Sequence, residues 1–348
     1  MTADEKLFEP LAREEVIKAV TRGRPSRIPL IMAKWWGEGL EAQYGDRLSR
    51  FQKYPEDAVM LWHREFLSPA SLKLPWWKED LTKANDNQPV LDSWDRLEDF
   101  IARIPDPEKD PVMDRLAVEA EEARKNDRYV LFAFWRLFFE RPWQFRGMEN
   151  LMMDYFLEPD KVHRLHGAFC DTYLKYLRRA VRDIRPDGFF SSDDLGNQRQ
   201  PMMSPAMFDG FLKPYYLKIG AFLRENKVHW WLHSCGNNTP LLPALVEAGL
   251  TVFHPVQKGT MEERAVADQF GGSLSFLAGM DVQHTLREKD PKGVRREVRF
   301  LIDTFDQQGG GLCLAAGNGI VAGTPIENIE AFLDEAVRYG AAHRARFN

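Results

Sequence analysis

A histidine and a cysteine two positions apart, His233 and Cys235, are the residues of this chain most suited to chemistry. They follow the apolar stretch at 227–232 (KVHWWL), which predicts a buried β-strand. Side chains at i and i+2 of an extended segment point to the same side, so both could reach one ion. Imidazole and thiolate together suit zinc, whose catalytic sites use three protein ligands and keep one position open. The alternative is a buried neutral cysteine beside a histidine that pairs with a carboxylate.

A third zinc ligand would have to come from another segment. The chain has three cysteines, too few and too scattered for a disulfide framework. Cys170 lies among apolar neighbours on a predicted helix, and we assign it to the core. Cys313 is on the last predicted strand, at 312–316, and is the predicted third metal ligand, although it falls early in that strand.

Two adjacent carboxylates, Asp193 and Asp194, follow the predicted strand at 187–191. Together with His233 they are the predicted catalytic residues, because a buried carboxyl with a raised pKa could shuttle a proton or steer a substrate. The alternative is that one aspartate caps a helix or anchors a loop. Neighbouring side chains on extended backbone face opposite sides, so we expect one to serve the site and the other the structure.

Other polar or aromatic residues lie in the segments after predicted strands or, for Arg141, before the helix at 148–156, and are predicted to bind substrate. They are Trp35, Trp36, Arg141, Gln198, His254, Asp281 and Asn318. Arg141 could hold a substrate carboxylate or form a buried pair with Glu140. Each residue alone is weak support, but their clustering after several strands indicates an enzyme.

These residues need a scaffold that brings strand ends together, and the second half of the chain predicts one. Apolar strands and helices alternate there at the spacing of a parallel sheet covered by helices. The predicted strands are 187–191, 227–232, 251–253, 274–278 and 312–316, and the predicted helices are 204–225, 239–248, 261–269, 291–307 and 325–339. In such a sheet the active site lies at the C-terminal ends of the strands.

The first half of the chain is less regular. Strands are predicted at 27–34 and 129–134, with a weaker one at 58–62, and helices at 148–156 and 160–182. Residues 1–26 are predicted as an N-terminal helical extension, and about 36–126 as an insertion or cap. The pattern allows either a (β/α)8 barrel or a doubly wound sheet, and we predict a single domain over 1–348.

Composition excludes several classes of protein. The 47 basic and 52 acidic residues give a net charge of −5, so no basic surplus indicates nucleic-acid binding. No apolar stretch approaches the roughly 20 residues of a membrane helix. The first residues, MTADEKLFEPLAREE, are acidic and polar, so we expect no signal peptide and a cytoplasmic location.

Six blocks of sequence resemble the uroporphyrinogen decarboxylase superfamily. They are FERPWQFRGME at 139–149, DDLGNQ at 193–198 followed by Met203-Ser204-Pro205, LHSCG at 232–236, HPVQ at 254–257, GMDVQ at 279–283, and 317–325. The resemblance runs from about residue 27 to the C-terminus. It implies a (β/α)8 TIM barrel with an N-terminal extension.

The resemblance also implies a branch of the superfamily. Uroporphyrinogen decarboxylases hold propionates with an Arg-rich loop after the first strand, and here that loop is MAKWWG at 32–37, without arginine. The methyltransferase branch works with corrinoid proteins, thiols or folate, and several members bind zinc through His-x-Cys and a distant Cys. His233 and Cys235 match the first two ligands. The distant Cys belongs in a Gly-Cys-Gly-Ile stretch, which here is Gly317–Ile320 with Asn318 in the cysteine position.

From this resemblance we expect a methyltransferase or demethylase that moves a methyl group between a small methylated compound and a corrinoid, thiol or tetrahydrofolate acceptor, assisted by zinc. A corrinoid protein is the expected partner and a homodimer the expected assembly. Two alternatives stay open. One is a metal-free, decarboxylase-like lyase acting on a small carboxylic acid or a tetrapyrrole-related substrate, with Asp193 or Asp194 as acid and Arg141 or Lys34 holding a carboxylate. The other is a non-catalytic tetrapyrrole or corrinoid carrier.

Overall fold

The centre of the fold is a parallel β-sheet in which each strand pairs with the next one along the chain. The computed structural model describes residues 7–64, 66–78, 88–307 and 310–347. Its strands are β1 (Ala58–Trp62), β2 (Tyr129–Ala133), β3 (Gly188–Ser192), β4 (His229–His233), β5 (Val252–His254), β6 (Ser275–Met280) and β7 (Leu312–Ala316). All neighbouring pairs are parallel, so their C-terminal ends meet at one end of the sheet.

A short segment around Leu30 connects the two edges of this sheet. Leu30 forms a parallel bridge with Leu314 of β7, and Ile31 N–H donates to the Leu314 carbonyl. On its other side, the Leu30 carbonyl accepts from the N–H of Asp57, directly before β1. The curled sheet and its linked edges are compatible with a TIM-barrel-like fold.

The strand predicted at 27–34 is therefore much shorter than expected. Pro29 has no N–H to donate, and Met32 has a φ of 57°, in the left-handed region that bulky residues rarely adopt. The chain turns at Met32 and sends Trp35 and Trp36 toward the strand ends.

Alternate residues of the strands pack into two separate cores. Trp231, Phe190 and Leu277 belong to an inner cluster enclosed by the sheet, whereas their neighbours Trp230 and Phe189 pack outward against the helices. Both faces are thus buried, which explains why the strands are continuously apolar rather than alternating.

Helices surround the sheet, most of them on its outer face. They are α1 (Arg13–Val20), α2 (Leu40–Tyr44), α3 (Pro69–Leu72), α4 (Leu97–Ala102), α5 (Pro111–Lys125), α6 (Glu140–Arg146), α7 (Met148–Leu157), α8 (Pro159–Arg179), α9 (Pro205–Phe211), α10 (Lys213–Glu225), α11 (Leu242–Ala248), α12 (Glu263–Phe270), α13 (Thr285–Glu288), α14 (Pro291–Phe305) and α15 (Ile326–Arg344). A π-helical turn, Ala180–Ile184, continues α8, and 3₁₀ turns occupy Gly45–Lys53, Trp94–Arg96, Pro107–Lys109 and Thr239–Leu241.

The strand weakly predicted at 58–62 is confirmed as β1, a full member of the sheet. The region 36–126 therefore contributes a strand to the sheet and is not one continuous insertion. The helix predicted over 204–225 is two helices, because Pro214 stands in the first turn of α10 and the chain breaks at Leu212.

Helix α1 lies across the end of the sheet opposite the predicted site. The backbone N–H of Gly311, just before β7, donates to the Ala19 carbonyl, and the Ser275 hydroxyl of β6 donates to the Val20 carbonyl. Val16, Ala19 and Val20 join the inner cluster, so this helix closes its base. Within the described parts of the chain, no helix is long and apolar enough to cross a membrane.

A candidate metal centre at the strand ends

Three potential metal ligands from two loops meet at the C-terminal ends of β3 and β4. His233 ends β4, Cys235 follows two residues later, and Asp194 lies two residues beyond β3. His233 Nε2 is 3.4 Å from Cys235 Sγ and 3.6 Å from Asp194 Oδ1, and the three donor atoms all lie within 4.8 Å of one another. Bonds of about 2.0–2.3 Å at tetrahedral angles separate two zinc ligands by roughly 3.5 Å. The spacing therefore fits a zinc ion.

A chain of hydrogen bonds aims the free lone pair of His233 at this centre. His254 Nε2–H donates to the Ala316 carbonyl at 3.0 Å, so the His254 Nδ1 must accept. It accepts from His233 Nδ1–H at 2.7 Å, which leaves His233 Nε2 without a proton. Metal-binding histidines donate their other ring N–H in this way, because the partner fixes the tautomer and the ring orientation.

Burial sets the protonation of the donor atoms. It lowers the pKa of His233 to about 4 and that of His254 far below its usual value, so both rings are neutral at pH 7. Burial, with the charge of Asp194, raises the pKa of the Cys235 thiol to about 12. Burial also raises the pKa of Asp194, whose Oδ1 accepts from the Cys235 N–H at 2.8 Å. A divalent cation bound at this position would favour the ionised forms of the Cys235 thiol and the Asp194 carboxyl.

The two loops that carry these ligands meet backbone to backbone. Gly236 has a φ of 82°, and a Cβ there would stand 2.3 Å from the carbonyl carbon of Gly196. Asn237 N–H donates to the Asn197 carbonyl at 2.8 Å, beside this contact. Only glycine allows so close an approach, and the approach sets Asp194 beside Cys235.

Cys313 does not belong to this group of ligands, which corrects the prediction for the third one. It is the second residue of β7, 2% exposed, in the inner cluster of the sheet and paired in register with Leu277. The strand carries three further residues before its C-terminal end, so the thiol lies below the mouth. Asp194, predicted only as a catalytic residue, is the third potential ligand of the cluster.

Asn318, which stands where the resemblance led us to expect a cysteine, lies beside the potential ligand Cys235. Its Nδ2 lies 3.6 Å from Cys235 Sγ, and its Oδ1 accepts from the Gly319 N–H at 2.7 Å. An amide nitrogen offers a donor hydrogen rather than a lone pair, so Asn318 can hydrogen-bond the sulfur but cannot replace a thiolate.

Asp193 serves the structure rather than the cavity. It is fully buried and accepts from the backbone N–H groups of Phe138, Phe139 and Glu140 and from the Tyr216 hydroxyl. These bonds hold the loop between β2 and α6 in place. As expected, one of the two aspartates, Asp193, supports the structure, and the other, Asp194, faces the cavities.

An aromatic wall, formed by Trp35, Trp62 and Trp135, stands against the metal centre. The rings of Trp35 and Trp135 stack at 5.5 Å, and those of Trp135 and Trp62 at 4.6 Å. Trp35 and Trp135 both meet the His233 ring edge-on, at 5.8 and 5.9 Å. Sequence reasoning identified Trp35 but missed Trp135, which is separated from it by about a hundred residues.

Two cavities adjoin the metal centre and share Asp194 and Asn318 in their linings. The smaller cavity, about 240 Å³, is also lined by Trp35, Trp135, Arg136, Glu140, Ser192 and His233. The larger cavity, about 880 Å³, extends from Cys235 past Gln198, Gln257, Asp281 and Arg287. The predicted residues Gln198 and Asp281 therefore face the larger cavity.

Three predicted substrate-binding residues do not line either cavity. Arg141 is buried and donates to the carbonyls of Leu67 and Trp135 and to Gln144, so it ties loops together. Trp36 packs against Phe51 and pairs with Ile320. His254 lies behind His233 and orients it.

Glu140 is a carboxyl of this site whose charge changes near neutral pH. Burial raises its pKa to about 8, and the carboxyls of Asp194 and Asp193 add to the shift. The folded protein then retains a proton that the unfolded chain, with a pKa near 4.5, releases. Metal-free protein should therefore lose stability as pH rises from about 4.5 to about 8.

Urea unfolding of metal-free protein across this pH range checks the expectation. Glu140→Gln should make the unfolding free energy fall less steeply with pH than in the wild type. Glu149→Gln, an exposed carboxyl on α7, is the matched control and should leave the slope unchanged. An unaltered slope in Glu140→Gln would show that this carboxyl titrates normally.

Comparison with known proteins places these features in a family. The family model described as uroporphyrinogen decarboxylase (URO-D) matches residues 87–339, well over half of the chain. A methylated-thiol–coenzyme M methyltransferase of Methanosarcina mazei is 22% identical over 187 residues, which are 54% of this chain and 47% of that protein. The chain thus matches about half the length of this curated relative.

A solved structure agrees over a longer span. The structure of a methyltransferase from Methanosarcina mazei superimposes with a TM-score of 0.66 at 15% identity, covering 94% of this chain and 98% of that one. At this identity the agreement demonstrates a shared fold.

Proposed function

This chain belongs to the uroporphyrinogen decarboxylase (URO-D) family, and we propose that it is a methyltransferase with a (β/α)8 barrel fold. It transfers a methyl group between a small methylated compound and a corrinoid, thiol or folate acceptor. The observation that carries the proposal is the cluster of His233 Nε2, Cys235 Sγ and Asp194 Oδ1 at the strand ends. The likeness to two methyltransferases supports it.

The proposed metal is zinc, held by His233, Cys235 and Asp194. Imidazole, thiolate and carboxylate are all zinc ligands, and three protein ligands leave a fourth position open. Zinc bound there would keep a substrate thiol in its nucleophilic thiolate form at neutral pH.

The residues around these ligands prepare the site for a methyl group. Trp35 and Trp135 present apolar rings on one side of His233 and keep water from it. Glu140 accepts a hydrogen bond from the Ser192 hydroxyl within the smaller cavity and can retain a proton at pH 7. We assign the smaller cavity to the methyl compound and the larger one to its reaction partner, because the ligands stand where the two meet.

Metal binding and methyl transfer test the proposal together. Protein stripped with a chelator should bind one equivalent of zinc, and cobalt(II) in its place should give the visible absorption of a tetrahedral site with a thiolate ligand. The zinc-loaded protein should methylate reduced cobalamin or a small thiol from a methylated donor. Failure to bind either metal would contradict the proposed centre. Zinc binding without transfer to cobalamin, thiol or folate would contradict the proposed reaction.

We also propose a corrinoid protein as the partner and a homodimer as the assembly. Analytical sedimentation measures whether the protein is a dimer.

Asn318→Cys should raise the affinity for zinc. A thiolate at this position would replace the amide 3.6 Å from Cys235 Sγ and add a negatively charged soft ligand. We expect the zinc dissociation constant to fall by about tenfold or more, with a second thiolate band in the cobalt(II) spectrum. Asn318→Ser is the control that removes the amide without adding a thiol, and equal zinc affinities for the two variants would contradict the assigned position.

The residues that were expected to serve the metal-free lyase are held in other contacts. The carboxylate-binding role that it needs is not available to Arg141, which is buried among loop carbonyls, or to Lys34, which donates to the Tyr54 carbonyl. Asp193, one of its two candidate acids, is engaged by backbone N–H groups. The other candidate acid is Asp194, which accepts a hydrogen bond from the Cys235 N–H and belongs to the cluster of potential metal ligands.

A further inference from the structure

An arginine that no sequence motif marks, Arg136, lies in the smaller cavity beside the metal centre. It follows β2 by three residues and lines the cavity with Trp35, Trp135 and His233. Its backbone has a φ of 70°, which a residue with a side chain adopts at a conformational cost. The N–H of Arg136 donates to the Ser192 hydroxyl oxygen at 3.0 Å, which holds the strained backbone in place.

The guanidinium of Arg136 has no ion pair among the described residues. The two carboxyls that share its cavity are engaged elsewhere, since Glu140 accepts from Ser192 and Asp194 accepts from Cys235. Their charges act on Arg136 only at longer range. By contrast, the buried Arg27 forms a two-pronged pair with Asp57. The Arg136 side chain is half-buried, and its guanidinium donors are available to a ligand that enters this cavity.

We propose that Arg136 binds the carboxylate of the substrate, and that the methyl compound is therefore a small methylated carboxylic acid. This inference rests on the proposed methyl transfer for the identity of the compound, but the carboxylate contact stands on the cavity alone. A guanidinium offers two parallel N–H donors that match the two oxygens of a carboxylate. A carboxylate there would also neutralise Arg136, the only arginine among the described residues that line this cavity.

The dimensions of the cavity fit such a compound. Its volume of about 240 Å³ accommodates an acid of one ring or a short chain. Arg136 holds one end, and the aromatic wall packs against the apolar body. His233 and Asp194 line the same cavity, which places the methylated end of the compound beside the metal ligands.

Binding of matched acids and amides tests the proposal without requiring turnover. The probes are para-methoxybenzoate and methylthioacetate, each compared with its uncharged amide, and binding is followed by the fluorescence of the tryptophans that line the cavity. Wild-type, zinc-loaded protein should bind at least one acid about tenfold or more tightly than its amide, since a hydrogen-bonded ion pair is lost in the amide. Arg136→Gln should weaken acid binding to the level of the amide, and Arg136→Lys should restore part of the preference because it keeps the charge but not the fork.

A second arginine provides the control. Arg115 on α5 is 63% exposed and lines neither cavity, so Arg115→Gln should leave the acid preference unchanged. Equal binding of acids and amides by the wild type, no binding of either acid up to its solubility, or an undiminished preference in folded Arg136→Gln would each overturn the proposal. Methyl transfer from amides as readily as from acids would overturn it while leaving the proposed function intact. Acid binding through Arg136 without methyl transfer would leave this contact intact and contradict the proposed function.

Discussion

Cys235→Ser is expected to abolish metal binding and methyl transfer while leaving the fold intact. A serine hydroxyl does not ionise at neutral pH and is a poor zinc ligand, so the site would retain only His233 and Asp194. Changes to outer partners of metal ligands already cost 10- to 100-fold in affinity. Loss of a direct ligand should therefore raise the zinc dissociation constant by more than about a hundredfold, as measured by competition with a chromophoric chelator.

Cys313→Ala is the matched control for this prediction. Cys313 is the thiol that sequence reasoning favoured as a ligand, but it lies in the inner cluster below the mouth. The variant should bind zinc and transfer methyl groups as the wild type does, with a stability loss of about 1 kcal/mol or less for one small buried side chain. If Cys313→Ala lost zinc and Cys235→Ser retained it, the proposed ligand set would be wrong.

Asp193→Asn is expected to cause the largest loss of stability among substitutions at the site. Both carboxylate oxygens of Asp193 accept hydrogen bonds from donors on the loop before α6 and from Tyr216. An asparagine would point an NH2 group at some of those donors and leave buried N–H groups unsatisfied. We expect a fall in unfolding free energy of about 2–4 kcal/mol, measured by urea denaturation of metal-free protein.

The neighbouring substitution, Asp194→Asn, should have the opposite profile. The Asp194 side chain is 38% exposed, and its amide could still accept from the Cys235 N–H. Stability should change by about 0.5 kcal/mol or less, as at surface positions, while zinc affinity falls by at least about tenfold. Equal effects of the two variants on both stability and zinc affinity would refute the separate roles.

The strands that could be predicted from the sequence are those that are buried on both faces. Continuous apolar runs such as 312–316 and 129–134 were placed within one residue, because such strands need no alternation to be recognised. The strand predicted at 27–34 was wrong for the same reason, because its residues are also continuously apolar. It has the composition of a strand, but Pro29 and the left-handed Met32 limit its pairing to one bridge.

The site was predictable where chemistry and sequence spacing coincide. His233 and Cys235 are two residues apart, so their meeting follows from the local backbone alone. Asp194 joins them through a contact between loops forty residues apart, and Arg136 and Trp135 come from a loop without any recognisable motif. Which of two adjacent aspartates faces the cavity depends on the loop that follows β2, and composition carries no information about that loop.

The contact between Gly196 and Gly236 reduces the conformational entropy that the two ligand loops would lose on binding a metal ion. In zinc fingers the ligands are scattered until the ion arrives, and the ordering of the chain diminishes the affinity. Here the backbones of the two ligand loops touch without an intervening side chain and are joined by the bond from Asn237 to Asn197. The loops are ordered when the protein folds, so the donor atoms would meet the proposed ion as a preorganised chelate. Exchange of that metal would require no rearrangement of the backbone.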